Sequence, residues 1–173
     1  SPLNFSEAGA TELILVGRNV LTARGQNPAV YAPWVSSGEN NTTAIPLTIG
    51  GEGSLVATGG YAWPGIGNTG SANILIKSGD ITAQGGYAAA GIGGSWGFWF
   101  DSIVIEGGHV TAKGEDTDDI GCGQAPSKDA GHGFTRKHPI SIKGGVVEAG
   151  KIYNGKDKNG KDTLTHTSGT LIQ

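Results

Sequence analysis

The chain is poor in most features that betray a function. It holds one cysteine, Cys122, and no methionine. A single thiol excludes an internal disulfide framework. No apolar run approaches the roughly 20 residues of a bilayer-spanning helix, so membrane insertion by that route is excluded. Charge of one sign is missing as well. The net charge is −3 without a basic stripe, which argues against a nucleic-acid partner. Residues 1–100 carry three Lys/Arg and five Asp/Glu, and residues 101–173 carry nine and ten. The second half is therefore charged but balanced, as a solvated surface is. Proline is scarce, at 7 residues, and no stretch carries the periodic apolar face and caps of a long helix. The G-x-G pieces open no helix, which argues against dinucleotide binding. The four histidines, His109, His132, His138 and His166, lack metal-ligand spacing.

What the chain has is glycine, 32 of 173 residues, against a usual share of about 7%. No G-X-Y period is present, so collagen is excluded. The Ile, Val, Leu and Ala content argues against disorder. Glycine at this density serves backbone geometry, in tight turns and at positive φ. The length suits one domain with a real core. The chain opens at Ser1 rather than Met, which leads us to expect that an upstream segment has been removed.

Five segments align on one alanine: "ILVGRNVLTARG" (Ala23), "LTIGGEGSLVATGG" (Ala57), "ILIKSGDITAQGG" (Ala83), "IVIEGGHVTAKGE" (Ala112) and "ISIKGGVVEAGK" (Ala149). Successive alanines lie 34, 26, 29 and 37 residues apart. A second signature follows: "PGIG" (64–67), "AGIGG" (90–94) and "DIGCG" (119–123), with "NPAV" (27–30) as a degenerate first copy. Period-two alternation in Ile74-Leu75-Ile76 puts apolar residues on one side. A Gly-rich turn reorients the chain, and Ile81 and Ala83 face inward again. Like segments recurring at one coil length favour stacking of like on like, at about 4.8 Å per coil. We therefore expect an all-β, right-handed parallel β-helix of about five coils. The alternative is an antiparallel sandwich. The expected division is an N-terminal cap (1–12), coils (13–150) and a closing segment (151–173) that pairs its own strands. Two inward ladders are expected: Leu21, Leu55, Ile81, Val110, Val147, and Ala23, Ala57, Ala83, Ala112, Ala149. Thr22, Thr82 and Thr111 would form an outward column, too interrupted for an ice-binding face.

"ITAQGGYAAAGIGG" followed by "IVIEGGHVTAKGE" resembles the Gly-Ile-Gly-Gly repeats of large surface proteins of gut and other bacteria. The resemblance covers about residues 11–150 and is most specific over 61–114. It implies β-helical units in carbohydrate-associated or adhesive proteins, secreted or displayed at the cell surface. The chain departs from it at Trp63-Pro64 and at "EDTDD" (115–119).

Seven of the twelve aromatic residues fall within residues 61–100. "GGYAWPGIG" and "GGYAAAGIG" are equivalent copies, so Tyr61 and Tyr87 should stack one coil apart. The run Trp96 to Phe100 either fills a gap, forms a stacking platform for a glycan, or makes a subunit contact. In an extended segment one of Phe98 and Trp99 points outward. The candidate ligand-binding residues are Trp63, Tyr87, Trp96 and Trp99.

Candidate chemistry is thinner. The run Glu115, Asp116, Asp118, Asp119 could supply oxygens to Ca²⁺, but no calcium-loop pattern is present. "DTDD" (116–119), "GHG" (131–133) and "RKH" (136–138) loosely resemble the signatures of polygalacturonases. That resemblance implies Asp118 and Asp119 as the acid–base pair, with His132 in support. Cys122 reads as a small corner residue; as a nucleophile it would need His132 or His138. The expectation is a non-catalytic binding or adhesion module without cofactor, its partner a carbohydrate or other cell-surface ligand. The alternatives are a polysaccharide-active enzyme and a structural stalk that assembles, with itself or within a larger protein, through the aromatic patch.

Overall fold

Alternating triplets put every second side chain on one face of an extended strand, and the protein uses that face as its interior. A computed structural model describes residues 3–36, 42–69, 72–124, 138–153, 159 and 161–173. The first coil is β1 (Leu3–Asn4), β2 (Thr11–Leu15) and β3 (Arg18–Thr22). The second opens with β4 (Val30–Tyr31) and leaves the wall as an antiparallel pair, β5 (Trp34–Ser36) and β6 (Thr42–Ala44). It returns as β7 (Pro46–Gly51) and β8 (Ser54–Thr58). The third coil is β9 (Ile66–Asn68), β10 (Asn73–Ile76) and β11 (Asp80–Tyr87), and the fourth β12 (Ile92–Gly94), β13 (Ser102–Ile105) and β14 (His109–Glu115). The fifth is β15 (Ile120–Gly121), β16 (Ile140–Ile142) and β17 (Val146–Glu148). A bridge from Ile152 to Ile120, then β18 (Leu164–His166) and β19 (Thr170–Ile172), make a sixth.

Equivalent strands of successive coils pair in parallel and form three walls. The fold is a parallel β-helix, and the sandwich alternative is excluded because every coil-to-coil pairing is parallel. Ile74 pairs with Leu47 and Ile103, and Ile76 with Ile49 and Ile105. All six are fully buried. Among the described residues the coils number six rather than about five, and the tail supplies the extra one. Among its described residues, segment 151–173 does not pair its own strands: β18 extends β16 and β19 extends β17, both in parallel. Segment 1–12 likewise carries β1, which pairs with β4.

The inner ladders hold from the second coil onward. Leu55, Ile81, Val110 and Val147 are in register, continued by Leu171. Ala57, Ala83 and Ala112 are in register, and Ala149 is buried one residue beyond the last β17 pair. The first coil is displaced by two residues: Leu21 pairs with Ala57 and Asn19 with Leu55, so Ala23 lies outside the alanine ladder. Asn19 is half-buried at this inward position. Asn19 Nδ2 donates to the Ser54 carbonyl at 3.0 Å. The same offset moves Thr22 opposite Thr58, away from the Thr82–Thr111 pair.

The Gly-Ile-Gly signature has a steric cause. Ile66, Ile92 and Ile120 stack inward, with Val30 before them. The glycines that follow, Gly67, Gly93 and Gly121, stack at φ values of 150°, 133° and 142°. A methyl group on Gly67 would overlap the Gly93 carbonyl oxygen, and one on Gly93 would overlap that of Gly121. At Gly67 and Gly93 the missing Cβ is thus the space that the next coil's backbone occupies. Gly93→Ala should cost at least about 2 kcal/mol, from strained φ and backbone overlap together. The outward Thr82→Val should stay within about 0.5 kcal/mol of wild type. Urea unfolding of the two variants checks both, and equal stabilities would refute the steric account.

Candidate functional site

One corner repeats where the third wall turns into the first. Ala62, Ala88 and Asp116 each sit there with positive φ, at 64°, 56° and 55°. Trp63 N–H closes a turn onto the Gly60 carbonyl and Ala89 N–H onto that of Gly86, both at 3.0 Å. Such a turn aims the residue before the left-handed one at solvent. Those residues are Tyr61, Tyr87 and Glu115, and all three are exposed.

The tyrosine rings stack with centroids 5.4 Å apart and planes 10° off parallel. Tyr61 is 63% exposed and Tyr87 45%. Trp96, 50% exposed, joins this corner because its backbone N–H donates to the Ala62 carbonyl at 3.0 Å. The neighbouring Gly97 N–H donates to the Gln124 carbonyl at 2.8 Å, which anchors the connection on a later coil too.

The four expected ligand-binding residues separate. Tyr87 and Trp96 are exposed at the corner. Trp63 is half-buried and packs against Tyr31, 5.7 Å away at 48°. Trp99 is half-buried against the core, stacked on His138 at 5.1 Å and 12°, with Tyr153 edge-on at 5.9 Å. Phe98 takes the more exposed position and Phe100 is fully buried. The sequence alone assigns Tyr61 to packing against Tyr87. The equivalence of the two "GGYA" copies was the signal for a shared corner.

The carboxylates also separate. Asp119 is buried, and both its oxygens accept from backbone: Oδ1 from Gly114 N–H at 2.7 Å, Oδ2 from Lys151 N–H at 3.0 Å. Lys113 Nζ lies 3.6 Å from Oδ1. Asp118 Oδ2 accepts from Cys122 N–H at 3.1 Å, and Oδ1 lies 3.4 Å from Lys151 Nζ. Burial holds the Asp118 carboxyl above its ordinary range, although the Cys122 N–H and Lys151 pull it down. Burial, then the Asp118 charge, pushes the Cys122 thiol far up, which makes it a poor nucleophile. Burial, with Cys122 and Asp118 nearby, also raises Tyr153.

An open depression of about 600 Å³ lies beside this corner, lined by Lys113, Glu115, Asp116, Thr117, Asp119 and Lys151 among others. Among the described residues, no three of His, Cys, Asp and Glu converge to hold a metal. The calcium alternative named Glu115, Asp116, Asp118 and Asp119; the first two are exposed, and the last two are engaged by backbone and lysine. His132 and the rest of the "GHG" and "RK" pieces lie outside the described residues. His138 is buried, with Nδ1–H donating to the Phe100 carbonyl.

A family model described as a beta helix repeat matches residues 74–96 and 103–131. No curated protein and no solved structure matches the chain.

Asp119→Ala would leave the Gly114 and Lys151 N–H groups without their acceptor and should cost about 3 kcal/mol. Asp118 should show the opposite sense. Its folded-state carboxyl titrates above its ordinary value of 3.8, so over that interval the folded state binds more protons than the unfolded state. The stability it contributes is full below 3.8 and is lost as pH rises through the raised value. Relative to wild type, Asp118→Asn should therefore gain stability as pH rises from 3.8 upward. Urea unfolding across that range measures it, and a constant gap would refute the assignment.

Proposed function

We propose that the chain is a non-catalytic binding module that takes a carbohydrate on the exposed rings of one solenoid corner. The observation that carries this reading is the Tyr61–Tyr87 stack, held in register with both rings substantially in water. Exposed aromatic surface at a fixed spacing costs solvation without adding to the core, which is the usual mark of a contact surface. Ring faces and edges suit the C–H face of a sugar, and the tyrosine hydroxyls suit its oxygens. Trp96 extends the surface sideways. The Gly-Ile-Gly-Gly likeness supports the accompanying proposal that the parent protein is secreted or surface-displayed in a bacterium.

The enzyme alternative has less support. An inverting pair needs two carboxyls facing a shared space that admits water. Asp119 lines the depression but spends both oxygens on backbone N–H groups, and Asp118 is not among its lining residues. The structural-unit reading is favoured by apolar side chains exposed on the end coils: Ile14, Val16 and Val20 at one end, and Ile172 at the other.

Tryptophan emission titrated with a glycan panel tests the proposal. Tyr87→Ala should weaken binding about tenfold, equivalent to roughly 1.4 kcal/mol. Trp96→Phe should remove most of the emission change, and Trp99→Phe should leave the affinity unaltered. If no glycan shifts the emission or is retained by the immobilised protein, and sedimentation instead shows self-association, the structural-unit reading takes its place.

A further inference from the structure

The three walls reach their edges together. The strand order puts β1, β2 and β3 at one edge, and Ile152, β18 and β19 at the other. Among the described residues nothing pairs beyond either set. The inward side chains there show the consequence. Leu13 and Leu21 at one end, and Leu164 and Leu171 at the other, pack on the core yet are only half-buried. Ile76 and Ile105 in the column of Leu13, and Ile81 and Val110 in that of Leu171, are fully buried. Neither β18 nor β19 holds a proline or a charged Lys, Arg, Asp or Glu, the residues that commonly blunt an open edge. One outward column makes the two ends alike. It runs Val20, Val56, Thr82, Thr111, Glu148, Ile172. From Thr82 to Glu148 it is polar, and its two ends, Val20 and Ile172, are apolar and each 50% exposed.

We propose that these ends meet head to tail: the last coil of one copy stacks on the first coil of the next and continues the parallel pairing of all three walls. In that register Ile172 faces Val20 and Leu164 faces Thr11. Leu171 faces Asn19, whose amide already donates to the Ser54 carbonyl. Charged residues meet neutral ones, Glu12 opposite Thr165 and Arg18 opposite Thr170. The joint repeats the contact that the chain makes between its own coils. Two unlike surfaces joined along one axis do not close, so the product is an open rod. Each copy adds six rungs, about 29 Å at about 4.8 Å per rung. The Tyr61–Tyr87 corner lies on the side of that rod, so assembly is independent of carbohydrate binding.

Sedimentation velocity and small-angle X-ray scattering test this. The wild type should form rods of constant cross-section that lengthen with concentration in steps of about 29 Å. A lysine at an edge blocks it, so Val20→Lys and Ile172→Lys should each stay monomeric. Their equimolar mixture holds one intact pair of ends and should give a one-to-one dimer that grows no further. Tyr87→Ala should assemble as the wild type does. A wild type that stays monomeric at millimolar concentration overturns the inference. So does either lysine variant associating alone, which means that like ends meet, or a mixture that stays monomeric while both variants keep the wild-type circular dichroism. Loss of assembly in Tyr87→Ala also overturns it and moves the contact to the aromatic corner.

Discussion

Coil-to-coil contact in this solenoid is limited by how closely two backbones can approach at the first wall. At Gly67 and Gly93 the space a side chain would need is filled by the carbonyl of the following coil, and at Gly121 by the Tyr153 and Asp118 side chains. That approach lets Ile66, Ile92 and Ile120 meet without a gap, and the isoleucine column in turn joins the first wall to the other two. A parallel ladder of this kind forces register: once Ile92 faces Ile66 and Ile120, the residues before and after them are aligned as well. The exposed corner is therefore ordered by a constraint that acts inside.

Alignment at that corner is what brings Tyr61 over Tyr87. Neither ring is held by the core, and each owes its position to a left-handed residue after it, Ala62 or Ala88. Left-handed backbone at a residue with a Cβ costs about 1–2 kcal/mol, and here it is repeated on three coils. On the third, the residue is Asp116 and the outward position is Glu115 rather than a tyrosine. The tight turn is kept while the chemistry displayed on it changes.

The interior was legible in the sequence because its cause is periodic. Ile74 and Ile76, Ile103 and Ile105, and the alanines at 57, 83 and 112 announce a shared face and a shared register. The first coil was not legible in the same way. Its inward Asn19 breaks the apolar pattern, and matching Ala23 to Ala57 by eye shifts the strand by two residues. The tail misled for a related reason: Asn-Gly pairs suggest hairpins, yet Leu164 and Leu171 add to existing columns. At the candidate site, Trp63 and Trp99 read like Trp96 in a linear sequence. Their partners Tyr31, His138 and Tyr153 come from other coils or from distant connections, and no local pattern reveals them.

The aspartates show the same division between inside and outside at a finer scale. Asp118 and Asp119 belong to one acidic run with Glu115 and Asp116, yet the two pairs meet opposite environments. In the fourth coil the connection from Ala112 to Ile120 is one residue shorter than the nine-residue step from Ala57 to Ile66 or from Ala83 to Ile92. At this shortened corner the Asp119 carboxylate accepts the Gly114 and Lys151 N–H groups and so ties the corner to the start of the sixth coil. A buried carboxylate is tolerable where charge and hydrogen-bond donors surround it, and Lys113 and Lys151 complete that requirement. Lys113 and Lys151, largely exposed, reach the buried pair from the same depression that Glu115 and Asp116 line. The surface chemistry of the depression is thus a consequence of how the corner is closed, just as the tyrosine stack is a consequence of how the coils are spaced.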